Sequence, residues 1–363
     1  VTDIPAIDQL EPYSHPKQTE RLIGQDHAET EFLQNFSAGR LHHAWLITGA
    51  KGVGKATFAY RAARFLLSGR EGGLFGPPDT LDVDMTSATV SQITAGAHPG
   101  LAVLKRQYDQ RGKKYFSVIR VDDVRALSSF FHLRSNQGSW RAVIIDSVDD
   151  MNPNAANAIL KILEEPPERT VFFLLSHTPA DLLPTIRSRC RILALKPLSE
   201  AHLRTVIAPY AADMDEQQMS MLLAIAEGSP GKALQMLGQG GLDIFNGIIQ
   251  ILGGYPRMDA EKLHGLADVA GRKDGEGIYR TICELYPWWL SRLVRTAGNN
   301  FEGDNLVSAE QAVMKRLIAA HPLNDWVDLW EAGNKLIAKA DSVNLDRKQV
   351  VLNLFLNVER MGK

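Results

Sequence analysis

Apolar positions change their spacing along this chain. Between residues 44 and 194 they gather into short runs: Ala44-Trp-Leu-Ile-Thr48, Ala142-Val-Ile-Ile145, Val171-Phe-Phe-Leu-Leu175 and Cys190-Arg-Ile-Leu-Ala194. Runs this short and this apolar predict strands, those at 142–145 and 171–175 buried on both faces. The intervening segments space their apolar residues three and four apart, predicting helices at about 26–36, 55–67, 124–133, 152–163 and 179–187. Strands alternating with helices predict a parallel sheet covered on both faces. Two further runs, 101–105 and 116–121, flank a polar tip at 106–114 and predict a strand pair.

Punctuation divides the rest. Residues 1–22 are polar and broken by proline, which predicts an arm. Residues 69–100 are rich in Gly, Pro, Asp, Ser and Thr and predict an insertion between strands, with one helix near 87–95. Asp122 or Asp123 is placed to cap the helix that follows, and Pro166-Pro167 stops the helix at 152–163. From Ser199 the strand runs cease. Helices are expected at 200–208, 216–226 and 230–237, then longer ones to the end, with Gly238-Gln-Gly-Gly241 as a hinge. The expected division is an α/β domain over 1–196, a small helical lid over 197–239 and an all-α domain over 240–363.

A chain of 363 residues exceeds one comfortable core, in keeping with two or three domains. Its 45% hydrophobic and 23% charged residues fit an ordinary globular protein. A net charge of −2 excludes the strongly basic footprint of an autonomous DNA binder. Two cysteines, Cys190 and Cys283, supply neither a disulfide framework nor a four-thiolate zinc site and fit a reducing cytoplasm. No apolar run approaches a membrane span and no signal pattern opens the chain, so no membrane partner is expected.

Candidate chemistry starts at Gly49-Ala-Lys-Gly-Val-Gly-Lys-Ala-Thr57, between a buried strand and a helix. Glycines there let backbone N–H groups converge on an anion at a helix N-terminus, and Lys55 adds a full charge beside the terminal phosphates. Gly49, Gly52, Gly54 and Lys55 are the nucleotide-binding candidates. The residue after the lysine should carry the hydroxyl that holds Mg²⁺, and it is Ala56; Thr57 stands next to it. Asp146, ending its strand, is the candidate metal carboxylate. The position after it, where an ATPase carries the glutamate that polarises water, is Ser147, with Asp149 and Asp150 further on.

Two more stretches, Asn154-Ala-Ala-Asn-Ala-Ile-Leu-Lys-Ile-Leu-Glu-Glu-Pro-Pro167 and Arg187-Ser-Arg-Cys190, complete a specific pattern. With them the chain resembles the clamp-loader branch of the AAA+ ATPases, subunits of the bacterial DNA polymerase III clamp loader. The resemblance runs nearly the whole length, to Asn344-Leu-Asp-Arg-Lys-Gln-Val-Val-Leu-Asn353. It implies an AAA+ domain, a lid and a C-terminal helical collar through which five subunits form a ring-like spiral. It implies gamma/tau-type motor subunits and a delta subunit as partners, with the sliding clamp and primer–template DNA met through the complex. Within that polymerase assembly it implies a stator that neither polymerises nor hydrolyses ATP. Arg189 of the Ser-Arg-Cys motif then acts in trans as an arginine finger on a neighbour's ATP.

The departures from the pattern matter equally. Relatives often carry a four-cysteine zinc module after the loop helix; the matching stretch 69–97 has no cysteine, so no zinc is expected. Asp79, Asp82 and Asp84 fit no calcium-loop spacing and read as a solvated turn. The γ-phosphate-sensing arginine of the motors falls at Gly231, with Lys232 one residue off. Ala56, Ser147 and Gly231 together argue against turnover. No cofactor is required, while Lys55 and the loop amides leave ATP or ADP binding open. The competing expectation is an active motor with Thr57 serving the metal. Elsewhere the plain readings hold: Cys190 a small buried residue, His42 and His43 a solvated turn, Tyr286, Trp288, Trp289, Trp326 and Trp330 collar aromatics. The basic tip Lys105, Arg106, Arg111, Lys113 and Lys114, with Tyr108 and Tyr115, is a solvated hairpin by default and a DNA-phosphate contact as the sharper alternative.

Overall fold

A computed structural model describes residues 12–69, 78–112, 114–132, 139–299, 306–307, 309–343 and 345–362. Residues 1–11 of the expected arm, 70–77 of the expected insertion, Lys113 and position 133 lie outside the described residues.

The chain divides into two compact units: residues 1–206 with 228–231, and residues 207–227 with 232–363. The stretch expected as a lid is shared between them. The first unit begins with α1 (Asp26–Ser37), β1 (Ala44–Thr48), α2 (Lys55–Leu67) and α3 (Ala88–Thr94). It continues with β2 (Leu101–Lys105), a small hairpin of β3 (Tyr108–Asp109) and β4 (Lys114–Tyr115), and α4 (Val121–His132). Then come β5 (Arg141–Asp146), α5 (Pro153–Glu164), β6 (Thr170–Ser176), α6 (Pro184–Ser188), β7 (Arg191–Ala194) and α7 (Glu200–Ile207).

Among the described residues the main sheet is five-stranded and parallel, in the order β2-β5-β6-β1-β7. Every residue of β1 and β6 is buried, as their unbroken apolar runs require in a sheet covered on both faces. Phe32 of α1 and Phe58 of α2 close one face over Trp45 and Phe173, with ring centroids 5.3–6.0 Å apart. Val143, Ile145, Phe172 and Leu174 face Ile159, Leu163 and Ile186 on the other. Each such side chain contributes about 1.5–3 kcal/mol by leaving water.

Several expectations are corrected. Leu101–Lys105 does not pair with 116–121; it lies parallel to β5, Leu101 opposite Ala142 and Lys105 opposite Asp146. An apolar run of five carries no mark of its partner, and the sheet edge supplied one. Ile119 makes only a bridge to Met151, and α4 starts earlier than expected, with Asp123 taking the Arg120 N–H at 2.9 Å. The helix expected at 179–187 is only Pro184–Ser188, because a proline at the first helical position holds Leu183 extended, ψ 128°. The helix expected over 152–163 begins with Asn152 as its cap, accepting from the Ala155 N–H at 2.8 Å.

The arm is not free over its described part. Tyr13 and His15 are buried, and His15 meets Tyr60 edge-on at 5.8 Å. Arg64 donates to the carbonyls of Lys17 (2.8 Å) and Thr19 (2.6 Å), and Arg61 to that of Glu20. Arg61 also pairs with Glu29 and Asp82, which gives that member of the acidic trio a partner.

The second unit contains α8 (Glu216–Ala226), most of α9 (Pro230–Gly238), α10 (Gly241–Gly253), α11 (Ala260–Gly271), α12 (Glu276–Asn299), α13 (Glu310–Ala320), α14 (Leu323–Val343) and α15 (Arg347–Met361). Asp215 caps α8 with a full capping box. Gly240, at φ 65°, turns the chain from α9 into α10 inside this one unit. Tyr286, Trp289 and Trp326 are core residues, whereas Trp330 is 37% exposed. Tyr286 donates to the Leu354 carbonyl at 2.7 Å, and Trp289 to the fully buried Glu310 carboxylate at 3.0 Å. Among the described residues no helix is long and apolar enough to cross a membrane.

Candidate functional site

The glycine loop joins the carboxyl end of β1 to the first turn of α2. Gly49, Gly52 and Gly54 hold φ of 140°, 77° and 109°, which side chains rarely adopt, so the loop can wrap its amides around one point. Lys55 lies at the first helical position and is 4% exposed. Its Nζ donates to the carbonyls of Gly49 (2.7 Å) and Ala50 (2.8 Å). Burial pushes its pKa down to about 8; the carboxylates of Asp146 and Asp149 pull upward and Lys51 pushes further down.

The next two carbonyls are held from elsewhere in the first unit. Ser229 Oγ donates to Lys51 O at 2.8 Å, and the Gly231 N–H to Gly52 O at 2.9 Å. Four successive loop carbonyls, 49 to 52, therefore each have a donor. Gly231 is pressed so close that a Cβ there would stand 2.7 Å from Gly52 Cα. The motor-type arginine is thus excluded at 231 by contact in this arrangement. Lys232 finds other partners, the Glu227 carboxylate at 3.6 Å and the Trp288 ring at 5.4 Å.

Asp146 ends β5 and acts on Lys55, so the structure brings loop, lysine and carboxylate together. Ser147 is buried, and its hydroxyl donates to Asp149 at 3.1 Å. Asp149 also accepts from Ser176 Oγ (2.7 Å), the His177 N–H (2.6 Å) and Thr178 Oγ1 (3.3 Å). A carboxylate offers about four lone-pair sites, and these donors fill them. Burial alone would raise Asp149, but the bonds from His177, Ser176 and Ser147 outweigh it and hold the carboxyl below its ordinary value. Asp149 is therefore no substitute base. Asp150 moves the other way: burial raises it, against Arg106 at 3.2 Å. Thr57 is one residue past Ala56, about 100° further round the helix, so it does not inherit the direction of the missing hydroxyl.

Sequence reasoning passed over Ser176, His177, Thr178 and Ser229. A polar triplet directly after a buried strand, at the carboxyl edge where such sheets bind ligands, was the available signal for the first three. Burial pushes His177 down to about 4, with Lys55 adding to the effect, so the ring is neutral at pH 7. Ser229 bonds across 178 residues of sequence, and nothing local marks it.

Arg189 lies elsewhere. It follows α6 and precedes β7, whose Arg191 stands opposite Trp45, whereas the loop begins after Thr48 opposite Ala194. The four residues of β7 separate the two levels, a strand rise of roughly 13 Å. Its Nη1 donates to Thr185 O at 2.9 Å and its Nη2 pairs with Glu164 Oε1 at 2.6 Å. Cys190 beside it packs against the core, and burial pushes its thiol up to about 12. It is half-buried rather than fully buried, and serves as an anchor against the core.

The hairpin tip is smaller than predicted: Tyr108 and Tyr115 meet edge-on at 5.2 Å, and Arg111 and Lys114 are exposed. His42 and His43 stack at 4.4 Å instead of projecting freely; His42 bonds the Ala44 carbonyl and His43 that of Leu163.

A glycine loop after β1, a carboxylate ending β5, and β6 set between those strands define a P-loop domain of the AAA+ type. Comparison with known proteins carries this further. Residues 24–199 match the family model described as DNA polymerase III, delta subunit. The chain is 35% identical over 198 residues to DNA polymerase III subunit delta′ of Pseudomonas aeruginosa, covering 54% of this chain and 56% of that protein. It is 31% identical over 206 residues to the Escherichia coli subunit delta′, covering 57% and 58%. To subunit gamma of Buchnera aphidicola it is 28% identical over 229 residues, covering 61% and 58%. The chain thus spans little more than half the length of these relatives. A gamma subunit-related protein from Thermotoga maritima aligns over 92% of this chain and 100% of its own at 15% identity, TM-score 0.41. The α/β part of the chain is thus similar to subunits of DNA polymerase III.

Proposed function

We propose that this chain is a delta-prime-like stator of the DNA polymerase III clamp loader, a subunit that helps load the sliding clamp without turning over ATP itself. In this reading it assembles in the cytoplasm with gamma/tau-type motor subunits and a delta subunit, and Arg189 completes a neighbour's ATP site. It meets clamp and primer–template DNA through that complex. The all-α segment over 240–363 is the collar and 197–239 the lid.

The observation that carries the proposal is the contrast between the two ends of one sheet. At the loop, Ala56, Ser147 and Gly231 stand where hydrolysis needs a metal hydroxyl, a base and a sensing arginine, and the nearby Asp149 is saturated. At the other end, Arg189 is one-third exposed and lies before β7, at the end of the sheet away from its own loop. A guanidinium stays charged and meets phosphate oxygens as a planar fork, which suits it to a partner's ATP.

The retained Lys55 and Asp146, and the gamma subunits among the relatives, favour the competing reading of an active motor. Hydrolysis by the purified chain separates the two. The stator reading expects no turnover above background, whether or not nucleotide binds. Robust turnover abolished by Lys55→Ala overturns it.

A further inference from the structure

The Leu163-Glu-Glu-Pro-Pro167 stretch has no part in the function proposed so far, yet one of its carboxylates touches the Ser-Arg-Cys corner. Pro166-Pro167 ends α5, leaving Glu164 as its last residue. A carboxylate there faces the negative end of the helix dipole and is electrostatically disfavoured without a cation. Arg189 is that cation, at 2.6 Å.

We infer that Glu164 is a positioning residue, pre-ordering the Arg189 guanidinium for phosphate on the neighbouring subunit. The inference rests on the trans reading of Arg189. Each residue of the motif has a part in the geometry. Ser188 Oγ (3.1 Å) and Arg189 Nη1 (2.9 Å) both donate to Thr185 O, fixing the turn after α6. Cys190 anchors the next residue against the core. Thr185 O holds one terminal nitrogen and Glu164 the other, so the fork is fixed at two points. Arginine has five N–H donors. With one used on each terminal nitrogen, the Nε–H and one N–H on each of Nη1 and Nη2 remain for an anion. A free arginine loses much rotamer freedom on meeting phosphate, and a pinned one has lost it beforehand.

The test is the reconstituted complex in which every motor site except the one facing this chain is silenced by a loop-lysine substitution. Glu164→Ala is expected to lower kcat for ATP by roughly tenfold with KM unchanged, and Glu164→Gln, whose amide oxygen still accepts from the guanidinium, by roughly threefold. In an Arg189→Ala background Glu164→Ala should add nothing, and co-elution of all subunits should be unaltered. Four outcomes overturn the inference. A Glu164→Ala rate within twofold of the parent, while Arg189→Ala abolishes turnover, removes it alone. A raised rate would make the carboxylate a restraint. A further loss in the Arg189→Ala background would mean that Glu164 acts through the fold. An unchanged rate for Arg189→Ala removes both this inference and the stator reading.

Discussion

At the carboxyl ends of β1, β5 and β6, polar groups are turned on one another; before β7 an arginine is held at the surface. Around the loop, four carbonyls, Lys55, Ser147 and Asp149 satisfy each other. A phosphate entering there would have to draw Lys55 Nζ from two carbonyls 2.7 and 2.8 Å away. At the Ser-Arg-Cys corner the contacts are fewer and leave donors spare. Groups that satisfy one another build a rigid frame, while groups with unspent donors can act on something else. If the stator reading is right, the comparison teaches that keeping the form of a P-loop does not keep its chemistry.

The largest expected effect is at the exposed end. Arg189→Ala should lower hydrolysis at the adjoining motor site by about 10³-fold, and Arg189→Lys should recover little, because a point charge lacks the fork. Single-site turnover in the reconstituted complex measures this, and full activity of the lysine variant would reduce Arg189 to a generic positive charge. At the loop end, Gly231→Arg should destabilise the first unit by about 1–3 kcal/mol, since its Cβ meets the Gly52 backbone. Its thermal midpoint should drop; new ATPase activity with an unchanged midpoint would break the comparison.

Asp149→Asn should cost about 1–3 kcal/mol by leaving donors from β6 unsatisfied. Because Asp149 titrates lower in the folded chain than in the unfolded one, its contribution is present above the unfolded value of about 4 and lost as pH falls through the folded value. The parent should therefore lose more stability than the asparagine variant on acidification below that point. The smallest effect concerns Lys55. With its folded pKa at about 8 and its unfolded value at 10.5, the unfolded chain binds more protons between those limits, so stability should rise with pH across that window. Lys55→Met should flatten that rise in a pH series of thermal midpoints.

Much of the first unit was legible because its central strands β1, β5 and β6 are buried on both faces and announce themselves as apolar runs. The run at 101–105 was equally legible as a strand but not in its pairing, since partner choice depends on which sheet edge is near. The segment 12–22 looked like a free arm because its composition is polar; buried Arg61 and Arg64 on α2 hold its carbonyls, and a polar sequence does not disclose that. Of the site, the loop and Asp146 were readable from spacing, while Arg189 was singled out only by the resemblance its Ser-Arg-Cys motif carries. The Asp149 hub was not, since three of its four donors come from a strand end 27 to 29 residues away.

The amino-acid order by itself determined the alternation of strand and helix, the glycine loop, and which catalytic residue types are missing from it. Those are local facts, set by periodicity, backbone freedom and side-chain chemistry. Only the tertiary structure decided what the remaining groups do. It tied Asp149 to four donors, seated Gly231 on Gly52, put Arg189 at the opposite end of the sheet and gave it Glu164. Each of these depends on which distant backbone comes within about 3 Å of a given atom, a quantity that composition and periodicity do not carry.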